Sequence, residues 1–328
     1  MRPLRACVLT LTAGCLASAC LTRSHSPAPP HGGETLRPAA SALIAAETHI
    51  SRDISYAGSL NLPAATGTLD LYQRNSDSPQ PLVVLVHGGS WVGGDKANFE
   101  TQAPAFIPWW LDQGFTVAAV NFRLATPTGP RGGVSVSTQA TDIAHALAWL
   151  HGHAADYGIA DQGPILLGYS SGAHLVALLG ADTRYMVDAG LPEDHIAATV
   201  SLDVHAYDVP FALTLMPGSV VERNIPKIER LFGATVEEQL LASPIAYIDG
   251  YVAPAMLVSV GDRPDQQGTH GYIVRQTSER YARALREHGH HAVTVHDDDE
   301  NHTTLATGFG APDDAVTRHV DAFLATLQ

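Results

Sequence analysis

Cysteine is nearly missing from this chain. Three occur among 328 residues, Cys7, Cys15 and Cys20, all within the first twenty positions. The rest of the chain therefore has no internal disulfide, no thiol nucleophile and no thiolate metal site. Long apolar runs are missing too: beyond the first twenty residues no stretch is long enough to span a bilayer. Positive charge is scarce. Lysine and arginine together number 19 against 33 acidic residues, a formal net charge of −14. Such a surface repels phosphates, so nucleic acid is not an expected partner. There is no repeat at solenoid or propeller periods. What remains is 45% hydrophobic and 16% charged, the composition of a folded domain with a sizeable core.

The first twenty residues differ in character from the rest. Arg2 and Arg5 precede an apolar run that ends in Ala17-Ser18-Ala19-Cys20. This is the pattern of a bacterial export signal. Small residues before a cysteine resemble a lipoprotein cleavage box, with Cys20 as the lipidated first residue. Ala17 stands where leucine is usual, and Ala17-x-Ala19 suits ordinary signal peptidase as well. The expectation is an exported protein, a periplasmic or outer-membrane lipoprotein anchored through Cys20, or alternatively a secreted one. Residues 21–45, rich in Ser, Pro, Gly and His, read as a flexible tether. Residues 46–328 read as one domain.

From about Ile50 the pattern alternates strand and helix. DISYAG and GTLDLYQR predict an antiparallel start. PLVVLVHGG (81–89) is a continuous aliphatic run ending in glycines, a buried strand. A helix over 96–113, a strand over 115–124 and a helix over 138–158 follow. PILLGYS (164–170) is a strand that runs straight into the helix SGAHLVALLG. Strands at 197–204, 255–262 and 292–299, and helices at 275–288 and 312–327, complete the series. Such alternation implies an α/β fold with a mostly parallel sheet covered on both faces. Residues 205–250 break the rhythm with scattered prolines and read as a small cap-like insertion.

Gly168-Tyr169-Ser170-Ser171-Gly172 fits G-x-S-x-G in one frame only, with Ser170 central. It lies between a strand and a helix, the context that gives the motif its meaning. The turn holds Ser170 at its tip as the nucleophile. Ser171 opens the helix, and its backbone N–H, not its hydroxyl, faces the anion-binding end. Upstream, the strand at 81–86 ends in His87-Gly88-Gly89-Ser90-Trp91. Glycine N–H groups approach a substrate closely, and a donor aimed at a developing oxyanion is worth about 3–4 kcal/mol. Gly88, Gly89 and Ser171 are thus the expected oxyanion hole. Trp91, Phe122 and Tyr169 are candidates for the pocket lining.

A serine hydroxyl needs a base, and the base needs an orienting carboxylate. His302, in the segment HDDDENHTTL after the last strand, is the expected base. The other histidines of this region, His288, His290, His291 and His296, read as solvated. The expected acid is Asp265 in VSVGDRPDQQG, with Asp262, closer to the strand end, as its rival. The acidic run 297–300 lacks the alternating ligand spacing of a calcium loop and reads as a solvated turn. No metal and no cofactor are expected.

Taken together, HGGSW (87–91), VNFRLA (120–125), DIAHALAWL (142–150), GYSSGAH (168–174), SLDVHAYDVP (201–210), GDRPD (261–265) and ENHTTL (300–305) resemble the α/β-hydrolase superfamily. The resemblance runs over roughly residues 50–328. Within the superfamily the chain is similar to bacterial carboxylesterases of the hormone-sensitive-lipase and feruloyl-esterase-like groups, with kynurenine formamidase a near relative. It implies hydrolysis of a small-molecule carboxylic ester through an acyl-enzyme. Amide hydrolysis, formamidase- or peptidase-like, and a non-catalytic surface binding protein are the alternatives. In these relatives the acid often stands three residues after the strand-end glycine, where this chain has Pro264. The motifs do not choose the ester or the oligomeric state.

Overall fold

The computed structural model describes residues 48–58, 62, 66–126, 133–261 and 263–327. The expected leader and tether, Cys20 included, and the rival acid Asp262 lie outside the described residues.

Eight strands form one sheet: β1 (Thr48–Ser55), β2 (Thr68–Arg74), β3 (Leu82–Val86), β4 (Thr116–Val120), β5 (Ile165–Tyr169), β6 (Ala198–Leu202), β7 (Ala255–Val260) and β8 (Ala292–Asp297). Their spatial order is β1-β2-β4-β3-β5-β6-β7-β8. β1 pairs antiparallel with β2, and β2 antiparallel with β4; every other pair is parallel.

The helices are α1 (Asn98–Thr101), α2 (Phe106–Asp112), α3 (Val136–Gly152), α4 (Ser171–Ala181), α5 (Arg184–Asp188), α6 (Val209–Leu215), α7 (Gly218–Phe232), α8 (Val236–Leu241), α9 (His270–Glu287), α10 (His302–Gly308) and α11 (Ala315–Ala325). The single helix expected over 96–113 is two short ones, parted at the stretch that holds Pro104. Proline there removes a backbone donor and clashes with the preceding turn.

The aliphatic strands are buried on both faces, and their period of two divides the core. Leu82, Val84 and Val86 of β3 belong to the core on the face covered by α3, α4 and α9. Val83 and Leu85 belong to the core on the opposite face, covered by α1, α2 and α11. The 205–250 segment forms α6, α7 and α8, and α7 carries Phe232 onto Trp91, ring centroids 5.0 Å apart. No helix among the described residues is long and apolar enough to cross a membrane. Parallel strands bring all their C-terminal ends to one edge, and the candidate chemistry collects there.

Candidate active site

One residue separates β5 from α4, and that residue is Ser170. Its backbone is forced to φ 57°, ψ −122°, a conformation that costs energy in a non-glycine residue. The flanking glycines make the turn possible. A Cβ on Gly168 would lie 2.2 Å from the Gly172 carbonyl oxygen, and a Cβ on Gly172 would lie 2.1 Å from that of Val86. The nucleophile turn is thus wedged against the end of β3.

The loop after β3 touches the same serine. A Cβ on Gly88 would sit 2.9 Å from Ser170 Cβ. Gly89, at φ 128°, closes a turn in which its carbonyl accepts from Val92 N–H and Gly93 N–H. Trp91, itself at φ 64°, pins the loop: its carbonyl accepts from Ala125 N–H and from the Gln139 side chain. Ser171 is the first residue of α4, where N–H groups have no intrahelical acceptor. Gly88 thus abuts Ser170, Gly89 is the next residue of the same loop, and Ser171 follows the serine directly in the chain.

His302 is the first residue of α10, whose cap Asn301 forms a reciprocal pair with Thr304. The acidic run before it is a turn in which Asp297 Oδ1 accepts from Asp299 N–H and Glu300 N–H. Ser170 Oγ–H donates to His302 Nε2 across 3.1 Å. Tyr169 stacks on the His302 ring, and its hydroxyl donates to the His302 carbonyl. Those two contacts fix the imidazole from the β5 side.

The carboxylate on the far side of that ring is Asp203, not Asp265. His302 Nδ1–H donates to Asp203 Oδ2 across 2.5 Å. Asp203 follows β6 directly, at φ 60°, and is completely buried. Its N–H donates to Val258 O, and its Oδ1 accepts from Val260 N–H, so β7 holds it on both counts. Burial pushes its carboxyl pKa up, but His270 and His302 overcome this and hold it well below the usual carboxylate range. Asp265 sits exposed on the loop after β7. The physical reason is that Asp203 already accepts from His302 Nδ1 and is itself held in place by β7 and by His270 from the first turn of α9.

The pocket residues divide. Tyr169 lines a cavity of about 190 Å³ together with Gly88, Gly89, Phe99, Phe106 and Ala306. Trp91 and Phe122, expected beside it, are buried packing residues. Phe122 stacks on His87 at 4.5 Å, and Trp91 packs edge-on against His174 and Phe232. A small apolar cavity beneath the cap is lined by His205, Val209, Met216 and Phe232. Asp203, His270 and His302 bring a carboxylate oxygen and two imidazole nitrogens within 4.8 Å of one another, a set able to hold a metal ion; here they satisfy one another by hydrogen bonds.

Two residues of the site carry no sequence signal of their role. Asp203 lies inside the strand that the pattern extends to residue 204. His270 lies before the helix that the pattern starts at 275. Only the start of that helix is marked, by Thr269, whose hydroxyl caps α9 by accepting from Tyr272 N–H.

Residues 69–267 match the BD-FAE family, a segment that includes Ser170 and Asp203 and stops short of His302. The chain is 24% identical over 218 residues to the probable carboxylic ester hydrolase LipM of Mycobacterium tuberculosis, covering 62% of this chain and 47% of that protein. It is 25% identical over 240 residues to the esterase LipQ of the same organism, covering 69% and 51%. The chain thus spans about half the length of these two relatives. Among solved structures, esterase B of Lactobacillus rhamnosis aligns with a TM-score of 0.64 at 18% identity, over 88% of this chain and 89% of that one. Thermogutta terrifontis esterase 2, phosphoramylated by tabun, aligns with a TM-score of 0.61 at 18% identity, over 86% and 95%. With the match over residues 69–267, more than half of its length, the chain belongs to the BD-FAE family.

Proposed function

We propose that the protein is a serine hydrolase of small carboxylic esters. The observation that carries this reading is the continuous chain from Ser170 Oγ to His302 Nε2 and from His302 Nδ1 to Asp203. Ser170 attacks the ester carbonyl while His302 takes its proton, and Asp203 stabilises the imidazolium that forms. The N–H groups of Gly88, Gly89 and Ser171 receive the developing oxyanion. His302 then returns the proton to the leaving alcohol. Water, activated by the same imidazole, releases the acid and frees Ser170.

A cavity of about 190 Å³ with mostly apolar walls suits a short acyl or alkyl group better than a long chain. Thermogutta terrifontis esterase 2 has been solved with propionate bound and Lactobacillus esterase B with a tributyrin phosphonate, ligands with short acyl groups that support this reading. Export is part of the proposal: the basic and apolar first twenty residues, ending at Cys20, support a periplasmic or membrane-anchored location.

A fluorophosphonate probe tests the chemistry. It should label the wild type and Ser171→Ala but not Ser170→Ala, because the Ser171 N–H survives its substitution. Equal loss of labelling in both variants would overturn the assignment of the nucleophile. A panel of p-nitrophenyl acetate, butyrate and octanoate, a feruloyl ester and N-formylkynurenine sorts acyl size and separates ester from amide cleavage. Higher kcat/KM on octanoate than on acetate would refute the small-acyl reading.

A further inference from the structure

Asp203 serves two imidazoles, and the reaction described above uses one. His270 Nε2–H donates to Asp203 Oδ2 across 2.7 Å, the same oxygen that accepts from His302. The two rings meet edge to face, centroids 5.4 Å apart. His302, not His270, reaches Ser170.

The fold brings His270 there by a specific route. Gly261 ends β7 at φ 124°, and a Cβ on it would lie 3.0 Å from Gly271 Cα. That close approach lets the first turn of α9 settle on the strand end. Thr269 locks the turn, its hydroxyl donating to the carbonyls of Gln266 and Arg263 and accepting from Tyr272 N–H. His270, the next residue, is thereby carried over Asp203. An 18-residue helix also points its positive end at this buried carboxylate.

We propose that His270 is a positioning residue for ester hydrolysis, fixing the Asp203 carboxylate in the orientation from which Oδ2 meets His302 Nδ1. The proposal rests on the reading of Asp203 as the triad acid. An ionised carboxylate accepts at about four sites on its two oxygens. Here three donors from three elements fix it: Val260 N–H from β7, His270 from α9 and His302 from α10. With His270 gone, a fully buried anion in a left-handed backbone loses one of these three. The carboxylate then rotates toward another polar partner, and the imidazole it orients loses its aim. Substrate binding does not depend on that contact, so the cost falls on kcat.

The test is steady-state hydrolysis of p-nitrophenyl acetate by the full chain and three variants. His270→Phe keeps a flat aromatic ring there, slightly larger, and removes the donor. His270→Gln restores an N–H close to the position of Nε2. Asp203→Asn reports on the acid itself. His270→Phe should lower kcat about 10–100-fold, the effect of one lost hydrogen bond to a charge, with KM within about twofold. His270→Gln should recover to within about threefold of wild type. Wild-type kcat in His270→Phe, with Asp203→Asn crippled, keeps the acid and rejects the role of His270. Equal losses in the Phe and Gln variants, tracking a fall in Tm, reduce His270 to a packing contact and also reject the proposal. Near-wild-type activity in Asp203→Asn removes its foundation, whatever His270 does.

Discussion

Asp203 Oδ2 and His302 Nδ1 lie 2.5 Å apart, although their strands, β6 and β8, are separated in the sheet by β7. The contact is made above the sheet edge, where Asp203 leaves β6 at positive φ and α10 folds back over it. The prediction is direct. Asp203→Asn offers the ring an amide in place of a charge and should lower kcat by about 10⁴. Asp265→Asn, on an exposed loop, should change kcat less than about twofold. A crippled Asp265→Asn with an active Asp203→Asn would return the acid to the loop after β7.

This contact also marks the limit of what the sequence discloses. The serine turn is legible because its causes are local: strand, Gly168, Ser170, Gly172 and helix follow one another without a gap. His302 is legible because it follows the last strand. Asp203 is not, because its role is decided by a partner 99 residues away. From the sequence it is an aspartate near the end of an aliphatic run, and nothing in the run says where pairing stops. His270 is hidden for a different reason: Gly271 follows it, and glycine early in a segment argues against helix. Only the packing of Gly271 against Gly261 explains why the helix begins there. The seven-residue α10 escapes notice because two turns carry too little periodicity to read.

The wedge between the serine turn and β3 predicts opposite outcomes for two glycines. Gly172→Ala places a Cβ 2.1 Å from the Val86 carbonyl oxygen, a backbone atom that cannot swing aside. It should abolish labelling by a fluorophosphonate and lower Tm sharply, or prevent soluble expression. Gly152→Ala, in the last turn of α3, meets nothing within 4 Å and should stabilise by up to about 1 kcal/mol. Thermal melts of the two variants side by side check the pair. A well-folded, active Gly172→Ala would show that the turn has room the geometry denies.

Tyr169 makes two kinds of contact with the base, and they can be separated. Tyr169→Phe keeps the ring stacked on His302, at 4.9 Å between centroids, and removes the hydroxyl that donates to the His302 carbonyl. A single neutral hydrogen bond is worth about 1 kcal/mol, so kcat should fall about three- to tenfold. Tyr169→Ala removes the stacking as well and opens the cavity wall, and should raise KM in addition. Identical kinetics for the two variants would show that only the hydroxyl matters.

His174 predicts how stability responds to acid. It is fully buried on α4, behind the nucleophile, with its tautomer fixed: Trp91 Nε1–H donates to Nδ1, and Nε2–H donates to Ala242 O. It thereby ties the serine helix to the loop after β3 and to the end of the cap. Burial, opposed by the bond to Ala242, pushes its pKa down to about 4. An unfolded histidine titrates near 6.5. Between those values the unfolded chain binds a proton that the folded chain refuses. The contribution of His174 is therefore complete above about pH 6.5 and is lost progressively as pH falls toward about 4, at about 1.4 kcal/mol per pH unit. His205, pushed down to about 3 by burial and by repulsion from His270, adds a second proton over the same window. Urea unfolding at pH 7.5, 6.5, 5.5 and 5.0 reads the slope above the range where carboxylates dominate. His174→Gln keeps a hydrogen-bonding side chain that does not titrate. It should be less stable than wild type at pH 7.5 and should lose stability more slowly on acidification, by close to one proton. An unchanged slope in His174→Gln would mean that this imidazole takes up its proton in the fold as readily as in the unfolded chain.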